Sequence, residues 1–344
     1  MKIAMIHADL PNESNGGVTF QAHYLANKLV DAGHDVTMFT FSPHYQDCLY
    51  KVHQYPNTLR TSKFQPFLLA FHLSRTNFSG FDVLHSHGDN YLMWGKHPQV
   101  RTFHGSAKDE AAFAVNFKRQ ILQSIFSYLE IVGTWVADIN VGVSEATRLR
   151  IPVISEIIPC GVDIERFKPA QKSVHPTILF VGSSGGRKRG SLLAQIFTEQ
   201  VLPKFPNAEL WAVSDISLIG EGIHNFGRVP LDTLSDLFQK AWIFCLPSTY
   251  EGFGVPYIEA MASGTVVVAS PNLGAKEVTS QGKYGLIAED DQLGNCINNL
   301  IANPDLLQHY KDQGIARSRD FSWDSVTAKY EQVYEKACLL RSSV

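Results

Sequence analysis

Apolar residues in this chain come in short blocks, separated by polar loops and by stretches of helical spacing. Lys2–Ile6, Asp35–Phe41, Phe81–Gly88, Gln99–Phe103 and Asp138–Val143 read as buried strands, several with polar carboxyl ends. Between the first two, apolar residues recur at Ala22, Leu25, Ala26, Leu29 and Val30, a helix that Gly33 stops. Residues 42–80 are weakly periodic; the aromatic Phe64–Phe71 segment favours a helix packed on a sheet over a face that meets an apolar acceptor. Residues 109–137 read as one long or broken helix, with Glu130 inside an otherwise apolar stretch. A second set of strands follows at Thr177–Val181, Ala208–Val213, Trp242–Leu246 and Thr265–Ala269, with helices from Leu192, over Leu231–Lys240 and from Trp323. Strands alternating with helices in both halves predict two doubly wound α/β domains. With the polar segment 168–176 as linker, the expected division is 1–167 and 168–322, plus a terminal helix over 323–344.

The chemistry concentrates where the strand ending at Leu246 runs into Pro247, Glu251-Gly-Phe-Gly-Val255 and a helix that Pro256 opens and Gly264 closes. A strand, a glycine-rich turn and a helix N-terminus leave backbone N–H groups facing one spot, which suits an anion. Glu251 precedes the turn. Glu259 falls on the apolar stripe of the helix, where a carboxylate needs a partner. Read singly, Glu251 complements the helix dipole and Glu259 finds a buried arginine; the Glu-x7-Glu spacing around Gly-Phe-Gly points instead to one site. A second cluster, Gly182-Ser-Ser-Gly-Gly-Arg-Lys-Arg-Gly190, follows a strand end and sets three cations beside glycines at a helix start, a pattern suited to a diphosphate. Gly16 and Gly17, ahead of the first helix, lack the GxGxxG spacing of a dinucleotide site.

The stretch Glu251-Gly-Phe-Gly-Val-Pro-Tyr-Ile-Glu259-Ala-Met-Ala-Ser-Gly264 resembles the signature of retaining GT-B glycosyltransferases of the family 4 type, glycosyl transferase group 1. The resemblance implies two Rossmann-like domains with a cleft between them, the first for the acceptor and the second for a nucleotide-sugar, with the tail crossing back to the first. It implies that Glu251 contacts hydroxyls of the transferred sugar and that Glu259 holds the ribose. Gly252, Phe253, Gly254 and Val255 would cradle the diphosphate. His104 would lie near the sugar, Gly16 and Gly17 near the phosphates and acceptor, and the backbone of Arg228 and Val229 near the base. The family usually has an arginine directly after the first glycine of the cationic loop; here that position is Ser183. The clamp is then expected on Arg187, Lys188 and Arg189: Lys188 and Arg187 in catalysis, Arg189 the most outward of the three. His85 and His87 are expected to be structural.

Composition narrows the picture further. Thirteen basic and fifteen acidic residues precede Arg166, and 17 and 18 follow from it, so neither half is a nucleic-acid surface. Five scattered cysteines with no CxxC fit a reducing compartment. Met1–Asp9 is too short and polar for a signal peptide, and no apolar run reaches membrane-spanning length. A cytoplasmic enzyme is expected, with peripheral contact at the inner membrane face as its closest association. No Asp-x-Asp occurs, so a metal-independent hexosyltransferase with no cofactor is expected. Its partners are a nucleotide-sugar (UDP-sugar first, GDP-sugar next) and a sugar, lipid-linked or small-molecule acceptor. The rivals are a non-catalytic two-lobed sugar-binding protein, which is usually exported, and an NAD(P)-dependent oxidoreductase, which should show GxGxxG.

Overall fold

The computed structural model describes residues 1–11, 17–58, 65–106 and 117–342. The chain divides into two compact units, one formed by Met1–Gly161 with Trp323–Val344 and the other by Val162–Ser322.

The first unit is built on a seven-stranded parallel sheet of order β3-β2-β1-β4-β5-β6-β7. Its strands are β1 (Lys2–Ile6), β2 (Asp35–Thr40), β3 (Lys51–Gln54), β4 (Val83–Ser86), β5 (Gln99–Phe103), β6 (Ile139–Gly142) and β7 (Glu156–Ile157). The helices are α1 (Gly17–Asp31), α2 (Gln65–Arg75), α3 (Phe117–Val136), α4 (Glu145–Arg150) and the terminal α11 (Trp323–Ser342). The apolar runs are continuous because both faces of the sheet are covered. Ile3 and Met5 join Leu25, Leu29, Val326 and Tyr330 in one core, while Ala4 and Ile6 join Leu69, Leu73, Phe78 and Val136 in another. Phe64 lies outside the described residues. The segment after it is the helix α2, with Leu68, Leu69 and Leu73 buried and Phe71 exposed.

Polar bonds tie α11 to this sheet. Tyr334 Oη lies 2.7 Å from Nδ1 of His85 on β4, whose Nε2 meets Thr102 Oγ1 at 2.8 Å; Tyr330 Oη meets the same hydroxyl at 3.0 Å. His85 is fully buried with both ring nitrogens bonded, a structural histidine as expected.

The second unit has a six-stranded parallel sheet of order β10-β9-β8-β11-β12-β13. The strands are β8 (Thr177–Val181), β9 (Glu209–Val213), β10 (Ile223–Asn225), β11 (Ile243–Leu246), β12 (Val266–Ala269) and β13 (Leu286–Ile287). Around it lie α5 (Gly190–Ile196), α6 (Leu231–Lys240), α7 (Val255–Ala262), α8 (Leu273–Val278), α9 (Leu293–Ala302) and α10 (Pro304–Ser318). The boundary falls at Gly161 rather than at residue 167. Residues from Val162 already pair within the second unit: Val162 N donates to Phe321 O at 2.8 Å, and the Phe167 ring stands edge-on to Phe238.

Replacing Tyr334 by Phe strands a buried ring nitrogen of His85, so Tyr334→Phe should lower stability by about 1–3 kcal/mol. Denaturant titration reads this directly; a midpoint equal to wild type would show that the bond does not help hold α11 on its sheet.

Candidate active site

The strand order of the second sheet reverses at the β8–β11 pair. Ligands of doubly wound sheets bind beyond the carboxyl ends at such a point. Two loops lie there, residues 182–189 after β8 and 247–254 after β11. The first folds back tightly: a Cβ on Gly182 (φ 154°) would lie 2.3 Å from Lys188 Cδ, so only glycine lets the lysine stem pass over the strand end. Backbone bonds then staple the loops together. Thr249 N donates to Arg187 O at 2.9 Å, and Arg187 Nη1 donates to Tyr250 O at 3.0 Å.

This brings Arg187 and Lys188 onto Glu251, which is 6% exposed. Lys188 Nζ is 3.5 Å from Oε1 and Arg187 Nη1 is 3.9 Å from Oε2. At those distances the carboxylate is held by charge, and its buried Oε1 has no hydrogen-bond partner among the described residues. The turn Gly252-Phe253-Gly254 leads into α7. Gly254 takes the left-handed conformation (φ 94°) and has no side chain with which to cap the helix, while Phe253 is buried against Phe321. Glu259, one turn into α7, is partly buried. Burial pushes its carboxyl up to about 7, and the Lys188 ammonium pulls the other way. Lys188 thus acts on both glutamates.

Arg189 does something else. It adopts the left-handed conformation (φ 53°), which aims its side chain away from its two neighbours. Its Nε donates to Pro247 O at 2.7 Å, Nη1 and Nη2 grip Asp290 at 2.6 and 2.8 Å, and Nη2 also reaches Ser270 Oγ at 3.1 Å. Arg189, expected to be the most outward of the three, is instead bonded inward and braces the two loops. Its partner Asp290 was not picked out from the sequence, although the acidic pair Asp290–Asp291 just past β13 was a usable signal. Asn272, the N-cap of α8, adds a second brace. Its Nδ2 holds Ser248 O and Ser270 O at 3.1 Å and so fixes the end of β11 against that of β12. Arg228 and Val229 follow β10, two strands from β8, and Gly227 before them is left-handed.

In the first unit the order reverses at the β1–β4 pair, and histidines follow there: His7 after β1, His87 after β4, His104 after β5. His87 Nδ1 and His104 Nε2 are 2.9 Å apart. Burial pushes His104 down to about 3, with the His7 ring adding to the shift, and holds His87 well below the usual imidazole range. Both are neutral near pH 7, so one nitrogen donates and the other accepts. His87 Nε2 is buried and has no hydrogen-bond partner among the described residues. Stranding a lone pair costs less than stranding an N–H, so the His87 proton sits on Nδ1 and is donated to His104. That leaves His104 its own proton on Nδ1, as a donor. Gly17 opens α1; Gly16 lies outside the described residues.

Because the folded-state pKa of Glu259 is raised, the folded protein holds a proton that the unfolded chain gives up near pH 4.5. Stability is unaffected below that value and falls as pH rises toward about 7. Glu259→Gln should match wild type at pH 4 and exceed it by about 1–3 kcal/mol at pH 8. Melting curves at the two pH values check this; a variant that is less stable at pH 8 would contradict it.

Comparison with known proteins agrees with this arrangement. The family described as Glycosyltransferase Family 4 matches residues 15–166, and that described as Glycosyl transferases group 1 matches residues 207–317. A phosphatidyl-myo-inositol mannosyltransferase of Mycolicibacterium smegmatis is 27% identical, covering 97% of this chain and 94% of its own. An MMP alpha-(1->4)-mannosyltransferase of Mycolicibacterium hassiacum is 28% identical over 71% of this chain; the match spans 60% of that relative's length. Among solved structures, sucrose-phosphate synthase from Thermosynechococcus elongatus superposes with a TM-score of 0.80 over 100% of both chains at 21% identity. Anabaena HepE in complex with UDP and glucose gives 0.75 at 16% identity, covering 97% of this chain and 99% of that one. Two parallel-sheet α/β units, the two matching halves and these relatives together support a GT-B glycosyltransferase of the family 4 type.

Proposed function

We propose that the protein transfers a hexosyl group from a nucleotide-sugar to an acceptor hydroxyl, with retention of configuration and without a metal. The observation that carries this is the convergence of Arg187 and Lys188 on an under-bonded Glu251 at the switch point of the second sheet. A diphosphate entering there takes over the two cations, with the turn that leads into α7 contributing backbone N–H groups. Glu251 is then free to accept from sugar hydroxyls through Oε1. Glu259 receives the ribose hydroxyls, the backbone of residues 252–255 lines the diphosphate, and the backbone of Arg228 and Val229 meets the base. His104, donating through Nδ1, is assigned to the transferred sugar, and Gly16 and Gly17 to the phosphates and acceptor.

In this reading the acceptor attacks on the face from which the diphosphate departs, and the leaving phosphate takes the acceptor proton. Charge on that phosphate peaks in the transition state, so Lys188 and Arg187 act most strongly there. A UDP-sugar is the first donor to test, supported by the neighbour solved with UDP and glucose. A GDP-sugar is the second. The relatives' names speak for mannose as the sugar. The five free cysteines among the described residues accord with a cytoplasmic setting.

Release of free nucleotide, assayed over a panel of donors, tests the activity. Lys188→Ala should lower turnover by about 2–4 kcal/mol in barrier, well beyond its effect on donor affinity. Arg189→Ala should act mainly on stability, and Glu251→Ala should abolish most transfer while the protein stays folded. Turnover should persist in EDTA, and NMR should show the donor's anomeric configuration in the product. Near-normal turnover of Lys188→Ala, metal-dependent activity, or an inverted product would each refute the corresponding part.

A further inference from the structure

At the β1–β4 switch point of the first unit, the sheet register lines up two kinds of side chain. Ile6 pairs with Ser86, so His7 and His87 leave the sheet as neighbours, their rings 6.2 Å apart. Asp9 and Asp89 follow two residues on along each chain. Gly88 and Asp89 both take positive φ (148° and 57°), which turns the chain into Asn90–Leu92. The Asp89 side chain does not cap that turn, and among the described residues its carboxylate accepts no hydrogen bond.

One cation stands behind it. Arg101 on β5 is 5% exposed and passes under α3 at Gly133, where a Cβ would fall on the guanidinium. It is bonded to Asn90 Oδ1 and lies 4.4 Å over the Phe103 ring. Glu130 and Asp89 both act on its charge. Enclosed in this way, Arg101 offsets the carboxylates but is closed off from a ligand. Burial pushes Asp89 up to about 6; Arg101 pulls it down and Asp9 pushes it up. The imidazoles of His7, His87 and His104 are held neutral by burial. Arg148 and Arg150 of α4 follow β6, two strands from β4, and Arg148 is paired to Glu145 at 2.6 Å.

We propose that Asp89, together with Asp9, selects the acceptor: its ring bonds to these carboxylates through hydroxyls and carries no phosphate there. The proposal rests on the assignment of the first unit to the acceptor. An ionised carboxylate only accepts, so the group that meets it must donate. A sugar or polyol ring satisfies both kinds of side chain. One hydroxyl donates to a carboxylate, and a neighbouring one accepts from an imidazole N–H. A phosphate ester brings acceptor oxygens alone and like charge, so it finds repulsion without a donor. The second unit has the opposite sign at its switch point, in Arg187 and Lys188. The two substrates are thus sorted by charge, the anionic diphosphate to one unit and a neutral polyol to the other.

Binding is read by saturation-transfer NMR on the full chain near pH 7, without donor nucleotide. The probes are the methyl α-glycosides of glucose, galactose, mannose and N-acetylglucosamine, and myo-inositol, each set against its monophosphate ester. At least one neutral probe should bind, about tenfold or more tighter than its phosphate ester. Asp89→Asn keeps a residue that tolerates the left-handed conformation and should narrow that ratio about fivefold or more. Asp9→Asn, on an exposed turn, should narrow it in the same direction. Melting curves show whether each variant is folded, and either variant alone decides the point. A phosphate ester that binds as tightly as its neutral parent, a ratio unchanged in a folded variant, or no neutral probe bound would overturn the proposal. Nucleotide release is measured separately. Release without selection at Asp89 would fail this proposal alone, and selective binding without release from any donor would fail the transfer reading alone.

Discussion

One lysine shared between two glutamates is the constraint on which the second unit's chemistry depends. Lys188 is drawn back over the end of β8 because Gly182 has no side chain, and it meets Glu251 while also acting on Glu259. Burial makes the Glu259 carboxyl resist ionising. The Lys188 ammonium offsets that cost only in part, as the raised Glu259 shows. The site therefore stands with its charges incompletely satisfied: Glu251 Oε1 lacks a hydrogen bond among the described residues, and its cations sit at 3.5 and 3.9 Å. Such a site is prepared for a ligand that brings both anionic phosphate and neutral hydroxyls.

Rigidity around the cluster comes from groups that take no part in it. Arg189, adjacent in sequence to Lys188, is turned by a left-handed backbone into a bidentate pair with Asp290. Asn272 ties the end of β11 to that of β12. Three consecutive cations thus divide into two that face the carboxylates and one that holds the loop, and the division is made by backbone conformation rather than residue type. In the first unit a similar economy operates without charge. Burial keeps the imidazoles neutral, and His87 Nε2, without a partner among the described residues, decides which nitrogen of His104 carries the proton.

The strands and helices were legible in the sequence wherever both faces of a strand are buried. The runs at Lys2–Ile6, Gln99–Phe103 and Thr177–Val181 match the observed strands, and Leu231–Lys240 matches its helix. The edge strand β3 was not found, because Lys51–Gln54 is largely exposed and carries no apolar run. Pro256 and Gly264 were readable as a helix start and stop: Pro256 stands in the first turn of α7, and Gly264 takes positive φ just past its end. The fate of Arg189 was not readable, because a lone left-handed residue leaves no mark in composition or period. Nor was the exposure of Ile125, Tyr128 and Trp135 on α3: periodicity reveals an apolar helix but not which of its sides is covered.

The most direct test of the account is a crystal structure of the protein with UDP or GDP bound. The account predicts the diphosphate within hydrogen-bond distance of Lys188 Nζ and the Arg187 guanidinium, beside the first turn of α7. Glu259 should then meet the ribose, with Arg189 still paired to Asp290. A diphosphate bound through Arg189 with Asp290 displaced, or a nucleotide away from the β8–β11 switch point, would contradict it.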